Sequence, residues 1–76
     1  MAVVHQALTL RQLRQRNGLT QADVAAFLEC TKHCVSQYET GRRRVSLVTA
    51  LRLAALFQVP IETIAFPRIP TASNRD

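Results

Sequence analysis

The sequence predicts an all-α protein of five helices with no sheet, and three observations indicate this. Apolar residues recur at spacings of three and four along most of the chain, as they do on one face of a helix. A Thr or Ser stands before each of the longer apolar segments, where its side-chain oxygen would cap a helix. The strict alternation of apolar and polar residues that is typical of strands is not found.

The first two helices have clear starting signals. The first is predicted to begin after Thr9, which forms a Thr-x-x-Gln capping box with Gln12, and to end at Gly18. The second is predicted to begin after Thr20 and to end near Leu28. An acidic residue in its first turn interacts favourably with the positive end of the helix dipole.

The third and fourth helices are predicted from similar signals. Thr31 would cap a helix that runs from residue 32 to residue 38 or 39 and ends at Gly41. Ser46 would cap a fourth helix that ends before Val59 and Pro60. Its broad apolar surface is typical of a central core helix.

A short fifth helix is predicted over residues 61–65, because proline is tolerated at the beginning of a helix and Pro60 stands there. Beyond this segment the sequence is irregular and then polar. The 76 residues leave room for one domain. We therefore predict a domain over residues 1–66 and an irregular C-terminal tail over residues 67–76.

Composition and charge limit the classes of function. A formal net charge of +5 favours an anionic partner, most commonly nucleic acid, although many small basic domains bind proteins. A hydrophobic share of 47% is too high for a disordered basic tail. No apolar segment approaches the roughly 18–20 residues that span a bilayer, and the N-terminus lacks the pattern of a signal peptide. With only two cysteines, a cytoplasmic, reducing location is expected.

The segment from residue 21 to residue 39 carries the main functional signal. Two short helices separated by a turn of about three residues form a helix-turn-helix pattern. Ala25 is small enough for the second helix of the pair to cross closely, and Val24 and Val35 are placed to face the core. The polar residues between them must then point outward. A helix presented in this way fits the DNA major groove, which is about 12 Å wide.

Four motifs resemble the phage-repressor/Cro-type helix-turn-helix DNA-binding family. They are LTQADVA at 19–25, VSQYETG at 35–41, SL at 46–47 and VP at 59–60. The resemblance covers roughly residues 10–64 and implies a five-helix repressor-like domain that binds specific duplex DNA, usually as a homodimer on a palindromic operator. Two positions depart from the family pattern. Glu29 stands where a turn glycine is frequent, so either the turn is distorted or Glu29 accepts a positive φ at a cost of about 1 kcal/mol; Val45 stands where Pro is common.

The resemblance also implies the residues that contact DNA. Lys32 and His33 open the third helix, Lys can donate to guanine O6 and N7, and Gln37 can pair bidentately with adenine. The resemblance gives Gln21 two roles, since it would hold a phosphate and also brace Lys32. The predicted base contacts are Lys32, His33, Ser36 and Gln37, and the predicted phosphate contacts are Gln21, Arg42, Arg43 and Arg44.

Two further sets of residues receive structural roles. In the family, the positions of Arg14 and Glu39 form a partly buried ion pair between the first helix and the end of the third. The apolar C-terminal residues suggest a symmetric dimer interface, because one short helix reads too few base pairs for genomic specificity. The predicted interface residues are Ile61, Ile64, Phe66 and Ile69. In the alternative, Ile61 and Ile64 close the monomer core, and Phe66 and Ile69 pack locally.

The remaining reactive residues favour neither catalysis nor metal binding. Cys30, His33 and Cys34 supply at most three soft ligands, whereas a structural zinc site needs four. Cys34 is a candidate redox switch, because a nearby Lys and a helix N-terminus can lower a thiol pKa. His5 and His33 have no identifiable acid or nucleophile partner. We expect no enzyme activity, no cofactor and no metal.

These observations predict a transcription regulator from a bacterium or phage. We expect a homodimeric repressor whose palindromic operator overlaps a promoter, with double-stranded DNA as its partner and no membrane association. Two alternatives remain open at this point: an antitoxin that neutralises a toxin protein and represses its own operon, and the controller protein of a restriction–modification system. The identity of the neighbouring gene would discriminate between them.

Overall fold

The computed structural model describes residues 7–67, which form four α-helices, one turn of 3-10 helix and two very short strands. In chain order these elements are β1 (Leu8–Thr9), α1 (Leu10–Arg16), α2 (Gln21–Leu28), α3 (Lys32–Thr40), α4 (Leu47–Phe57), the 3-10 turn (Ile61–Thr63) and β2 (Ile64–Ala65).

Every α-helix begins after a hydroxyl residue, as the sequence predicts. The side chains of these residues accept a hydrogen bond from the backbone N–H three positions later, which satisfies a group that the helix leaves unpaired. The first two helices have reciprocal capping boxes as well. The four capping residues are Thr9, Thr20, Thr31 and Ser46.

The prediction of five helices without a sheet is wrong after Pro60. Only residues 61–63 are helical, and they form a single 3-10 turn. Ile64 is extended, and β2 pairs in parallel with β1, Leu8 lying opposite Ile64 and Thr9 opposite Ala65. A ladder of two residues leaves no alternating pattern in the sequence. Its partner strand lies more than fifty positions earlier in the chain, so only the tertiary fold shows it.

The core is a single apolar cluster to which all four α-helices contribute. Val45 is 1% exposed and lies in the loop before α4, at the position where the resemblance leads one to expect proline. Burial of such side chains provides most of the stability of a domain this small. The buried residues are Leu10, Leu13, Val24, Ala25, Leu28, Val35, Val45, Ala50, Leu53, Ala54, Phe57 and Ile64.

Two helices end at non-glycine residues in the left-handed conformation. Glu29 follows α2 with φ 60° and ψ 45°, and Gln58 follows α4 with φ 58° and ψ 45°. After α2 the turn is closed by a 2.9 Å hydrogen bond from the Cys30 N–H to the Ala25 carbonyl. Of the two outcomes left open for Glu29, the structure therefore shows the strained backbone in a regular turn.

Gly41 ends α3 in a position that requires glycine. Its φ is 82°, and a Cβ at this position would lie 2.9 Å from the Cβ of Pro67. The chain therefore passes close to the end of α3 at residue 67. Across residues 7–67, no helix combines the length and the apolar character needed to cross a membrane.

Candidate nucleic-acid interface

Helices α2 and α3 are joined by the three residues 29–31, and buried side chains fix their packing. Val24, Ala25 and Leu28 from α2 and Val35 from α3 are all buried. The small Ala25 side chain is 5% exposed, which agrees with the expectation that a second helix crosses close to it. Since these residues face inward, the opposite side of α3 faces solvent.

The four predicted base-contact residues occur at the first, second, fifth and sixth positions of α3. Residues with these spacings lie on adjacent parts of one helix surface. The side chains of Lys32 and His33 are exposed, and those of Ser36 and Gln37 are half-buried. The structure therefore brings this predicted set together on a single helix.

A partly buried polar network joins α1, α2 and the end of α3. Arg14 Nε donates to Glu39 Oε2 at 2.6 Å, and Arg14 Nη2 lies 3.4 Å from Glu39 Oε1. Gln21 Nε2 donates to the same Oε1 at 3.0 Å. The side chains of Arg14 and Glu39 are only 12% and 7% exposed. We call Arg14, Gln21 and Glu39 the inner network, and two of its members are the pair that the resemblance implied.

A fourth hydrogen bond ties the inner network to the backbone. Arg14 Nη1 donates to the Leu19 carbonyl at 3.1 Å, in the segment between α1 and α2. The guanidinium is therefore held by a carboxylate and by a backbone carbonyl of the segment between α1 and α2. The inner network fixes the end of α3 relative to both preceding helices.

The inner network uses Gln21 differently from the sequence prediction. Its amide nitrogen donates to Glu39, whereas the resemblance implied that Gln21 braces Lys32. Gln21 still borders an open polar depression beside the exposed side of α3. The residues that line this depression are Arg11, Arg14, Gln21, Lys32, Ser36, Glu39 and Thr40.

The lining of this depression adds Arg11, which sequence reasoning missed. Arg11 is exposed on α1 and three residues before Arg14, so both lie on the same side of that helix. The spacing of three residues between Arg11 and Arg14 was the sequence signal that could have identified Arg11. Together with Lys32, Arg11 places a second positive charge at the rim of the depression.

The loop after α3 carries Arg42, Arg43 and Arg44, all three exposed. The backbone N–H groups of Arg42 and Arg43 donate to the Gln37 carbonyl at 2.9 Å and 3.2 Å. Arg43 Nε donates to the side-chain Oε1 of Gln37 at 3.0 Å. The structure thus holds the start of this loop against the last turn of α3. We call Gln37 and Arg43 the outer pair.

Comparison with known proteins agrees with this architecture. Residues 7–66 match the family described as the helix-turn-helix domain. The chain belongs to this family.

The same comparisons find HTH-type transcriptional regulatory proteins of Pyrococcus furiosus and Thermococcus gammatolerans. Each is 35% identical to the chain over 52 residues, which is 68% of this chain. The matched segment spans 16% of each relative. The similarity therefore concerns a segment of these relatives that contains little more than a helix-turn-helix domain.

Two cysteines lie near the junction of α2 and α3, Cys30 in the connecting turn and Cys34 in the first turn of α3. Cys30 and Cys34 are free thiols, both half-buried. Burial, followed by a hydrogen bond with Cys34, raises the pKa of Cys30. Burial and a hydrogen bond with Cys34 also raise the pKa of Tyr38, while the positive charge of Arg43 opposes both shifts. The raised pKa opposes formation of a thiolate at Cys30.

The structure provides no cluster of residues for a metal ion within the part of the chain that it describes. Among residues 7–67, no three His, Cys, Asp or Glu side chains are grouped closely enough to hold one. Cys30, His33 and Cys34, which the sequence places close together, do not form such a group. His5 lies outside the described residues.

The residues predicted for a dimer interface divide into three groups. Ile64 is 6% exposed and lies in the core of the domain, because β2 directs it inward, so the structure corrects its placement on an outer surface. Ile61 and Phe66 are half-buried and pack against the same core. Ile69 lies outside the described residues. The burial of Ile64 matches the alternative in which it closes the monomer core, whereas Ile61 and Phe66 keep some exposed area.

Among residues 7–67, four large apolar side chains are exposed at other positions. Val48 and Leu51 on α4 are 68% and 51% exposed, and Leu47 and Phe27 are 39% and 38% exposed. Arg52 partly covers Phe27, since its guanidinium lies 5.5 Å from the ring centroid and Nη2 donates to the Phe27 carbonyl at 3.0 Å. For the three residues on α4, the sequence signal was the unusually broad apolar surface of that helix.

Proposed function

We propose that this helix-turn-helix domain binds a specific double-stranded DNA sequence and that the protein is a transcription regulator, acting as a repressor. One observation carries the proposal: α3 presents Lys32 and His33 to solvent while Glu39, at its other end, is fixed to α1 and α2. A rigidly held helix with polar, exposed side chains near its N-terminus is suited to insertion into the major groove. The similarity to transcriptional regulatory proteins supports the same function.

In this proposal, side chains of α3 distinguish bases and surrounding groups hold the DNA backbone. Base-edge contacts are assigned to Lys32, His33, Ser36 and Gln37. Contacts to phosphate carry little sequence information but determine affinity and its dependence on salt. These are assigned to Gln21, Arg42, Arg43 and Arg44, and the exposed charge of Arg11 extends the positive surface on the other side of α3.

The proposed working unit is a homodimer on a palindromic operator. Helix α3 has nine residues and can reach only a few base pairs, so two copies about 34 Å apart are needed for a specific site. Ile61 and Phe66 are the described members of the proposed interface, with Ile69 beyond them. A dimer whose operator overlaps a promoter would repress by excluding RNA polymerase.

Sedimentation of variants tests the dimer. Phe66→Asp is expected to convert a dimer of the chain to a monomer, because it places a charge in an apolar interface. Val48→Asp on α4 is the matched control, since it introduces the same charge at an exposed apolar position outside the proposed interface. If Val48→Asp alone dissociates the dimer, the interface lies on α4 instead. A wild-type chain that remains monomeric on its operator contradicts the homodimer.

Selection from a pool of random duplexes tests sequence-specific binding. The chain is expected to enrich a palindromic sequence. Lys32→Ala should then reduce discrimination at particular base pairs by about 1–3 kcal/mol each, whereas Arg42→Ala should weaken binding to all duplexes and reduce the salt dependence. Failure to enrich any sequence contradicts the proposal.

A further inference from the structure

The outer pair fixes the orientation of the Gln37 side chain. An amide has an oxygen that accepts hydrogen bonds and a nitrogen that donates them, whereas an arginine side chain can only donate. Because Arg43 Nε lies 3.0 Å from the Gln37 amide, the atom that faces Arg43 must be the oxygen. The Nε2 group, with its two N–H donors, is then the end of the amide that is not hydrogen-bonded to Arg43.

The surroundings of the outer pair keep Arg43 close to Gln37. The backbone N–H of Arg43 also donates to the Gln37 carbonyl at 3.2 Å, so the loop residue is held at two points of the same glutamine. The Gln37 carbonyl additionally accepts from the Thr40 hydroxyl at 3.3 Å. Gln37 is half-buried, which limits its alternative rotamers. The guanidinium nitrogens of Arg43 beyond Nε can still donate to a DNA phosphate.

We propose that Arg43 is a positioning residue that sets the base preference of Gln37, directing its amide donors to guanine rather than to adenine. This inference rests on the proposed function. Bidentate pairing with adenine requires the amide to donate to N7 and to accept from the N6 amino group, whereas guanine presents two acceptors, N7 and O6. With Oε1 engaged by Arg43, the donating end of Gln37 matches guanine better. This changes the preference for adenine that the sequence suggests.

The inference also connects two kinds of DNA contact. Arg43 would hold a phosphate through its terminal nitrogens while its Nε orients the glutamine that touches a base. The same arginine then affects both affinity and base preference. A residue that contacts only phosphate would alter affinity for every sequence by a similar factor.

Binding competition among duplexes tests the inference. Binding by Gln37→Ala first identifies the position of the selected operator at which the base preference is lost. All four base pairs are then placed in turn at that position. Wild-type protein is expected to favour guanine there by about fivefold or more. Arg43→Met keeps the length of the side chain without its donors, and is expected to shift the preference toward adenine by a similar factor.

Arg42→Met is the matched control, because it removes the same charge one residue earlier in the loop. It is expected to weaken binding to all four duplexes with unchanged base preference. The inference is overturned if Arg43→Met leaves the base preference as in wild type, if wild type prefers adenine at this position, or if Gln37→Ala alters no preference. In each case specific binding that depends on Lys32 would leave the proposed function standing. Absence of any specific binding by the wild type would instead refute the proposed function.

Discussion

The inner network and the outer pair each contain a glutamine, Gln21 on α2 and Gln37 on α3, and the two have different surroundings. Gln21 donates to Glu39, which is 7% exposed and is paired with the 12% exposed Arg14, whereas Gln37 accepts from the exposed Arg43. The inner network joins three helices. The outer pair joins α3 only to the loop that follows it. Both glutamines are half-buried, so the difference between the two regions lies in their charged partners, which are largely buried in the inner network and exposed in the outer pair.

This difference has an energetic basis. A buried charge that loses its partner keeps the cost of desolvation, whereas an exposed group that loses its partner is solvated again by water. The inner network should therefore control stability. The outer pair should control DNA binding with little effect on stability.

The largest expected effect follows from Glu39→Gln, which breaks the ion pair with Arg14 while preserving shape. A fully buried pair that loses one partner costs about 3–5 kcal/mol, and we expect about 3 kcal/mol here because both groups retain some exposure. Urea denaturation measures the free energy of unfolding. Gln37→Ala is the comparison variant from the outer pair, and its free energy of unfolding is expected to stay within about 0.5 kcal/mol of the wild-type value. Equal losses in the two variants would remove the distinction between the two regions.

Arg14→Ala tests the same network from the other side. Among the described residues it leaves the Glu39 carboxylate with the Gln21 amide as its remaining side-chain partner, so thermal stability should fall at least as clearly as DNA affinity. Thermal denaturation and duplex binding are measured on the same preparation. A variant that melts like wild type but no longer binds DNA would identify Arg14 as a contact residue instead.

A smaller effect is expected in the turn that connects α2 to α3. Glu29→Gly should stabilise the domain by roughly 0.5–1 kcal/mol, because glycine adopts the observed φ of 60° without steric cost. Gln58→Gly is the matched variant, since Gln58 has φ 58° at the end of α4. Similar gains in both would show that the strain is an ordinary cost of a helix end. Destabilisation by Glu29→Gly would indicate that the glutamate side chain has a structural role.

The smallest effect concerns Asp23 at the start of α2. A hydrogen bond from the Thr20 backbone N–H, and then one from its hydroxyl, lowers the pKa of Asp23 below its ordinary value of 3.8. A carboxylate with a lowered pKa stabilises the folded state above its ordinary pKa, and this contribution is lost as the pH falls through the folded value. The Tm difference between wild type and Asp23→Asn should therefore be constant near pH 6 and shrink below about pH 4. A difference independent of pH would contradict this assignment.

Local signals in the sequence were sufficient for part of this structure. The four capping residues and the glycine at 41 determine helix ends through neighbouring atoms, so their positions were predictable. The ion pair joins positions 25 residues apart, and only resemblance to a family indicated it. The β1–β2 ladder and the bond between Arg43 and Gln37 depend on how distant or irregular segments meet. Such contacts produce no periodic pattern in the sequence from which they could be predicted.

The most direct test of the central claim is the ratio of two affinities measured at one salt concentration. The chain is titrated with the duplex selected from the random pool and with a scrambled duplex of the same length and composition. If α3 distinguishes base edges, the selected duplex should bind at least about a thousandfold more tightly. Equal affinities for the two duplexes would mean that the positive charge of the domain holds DNA without recognising its sequence, which would contradict the proposed function.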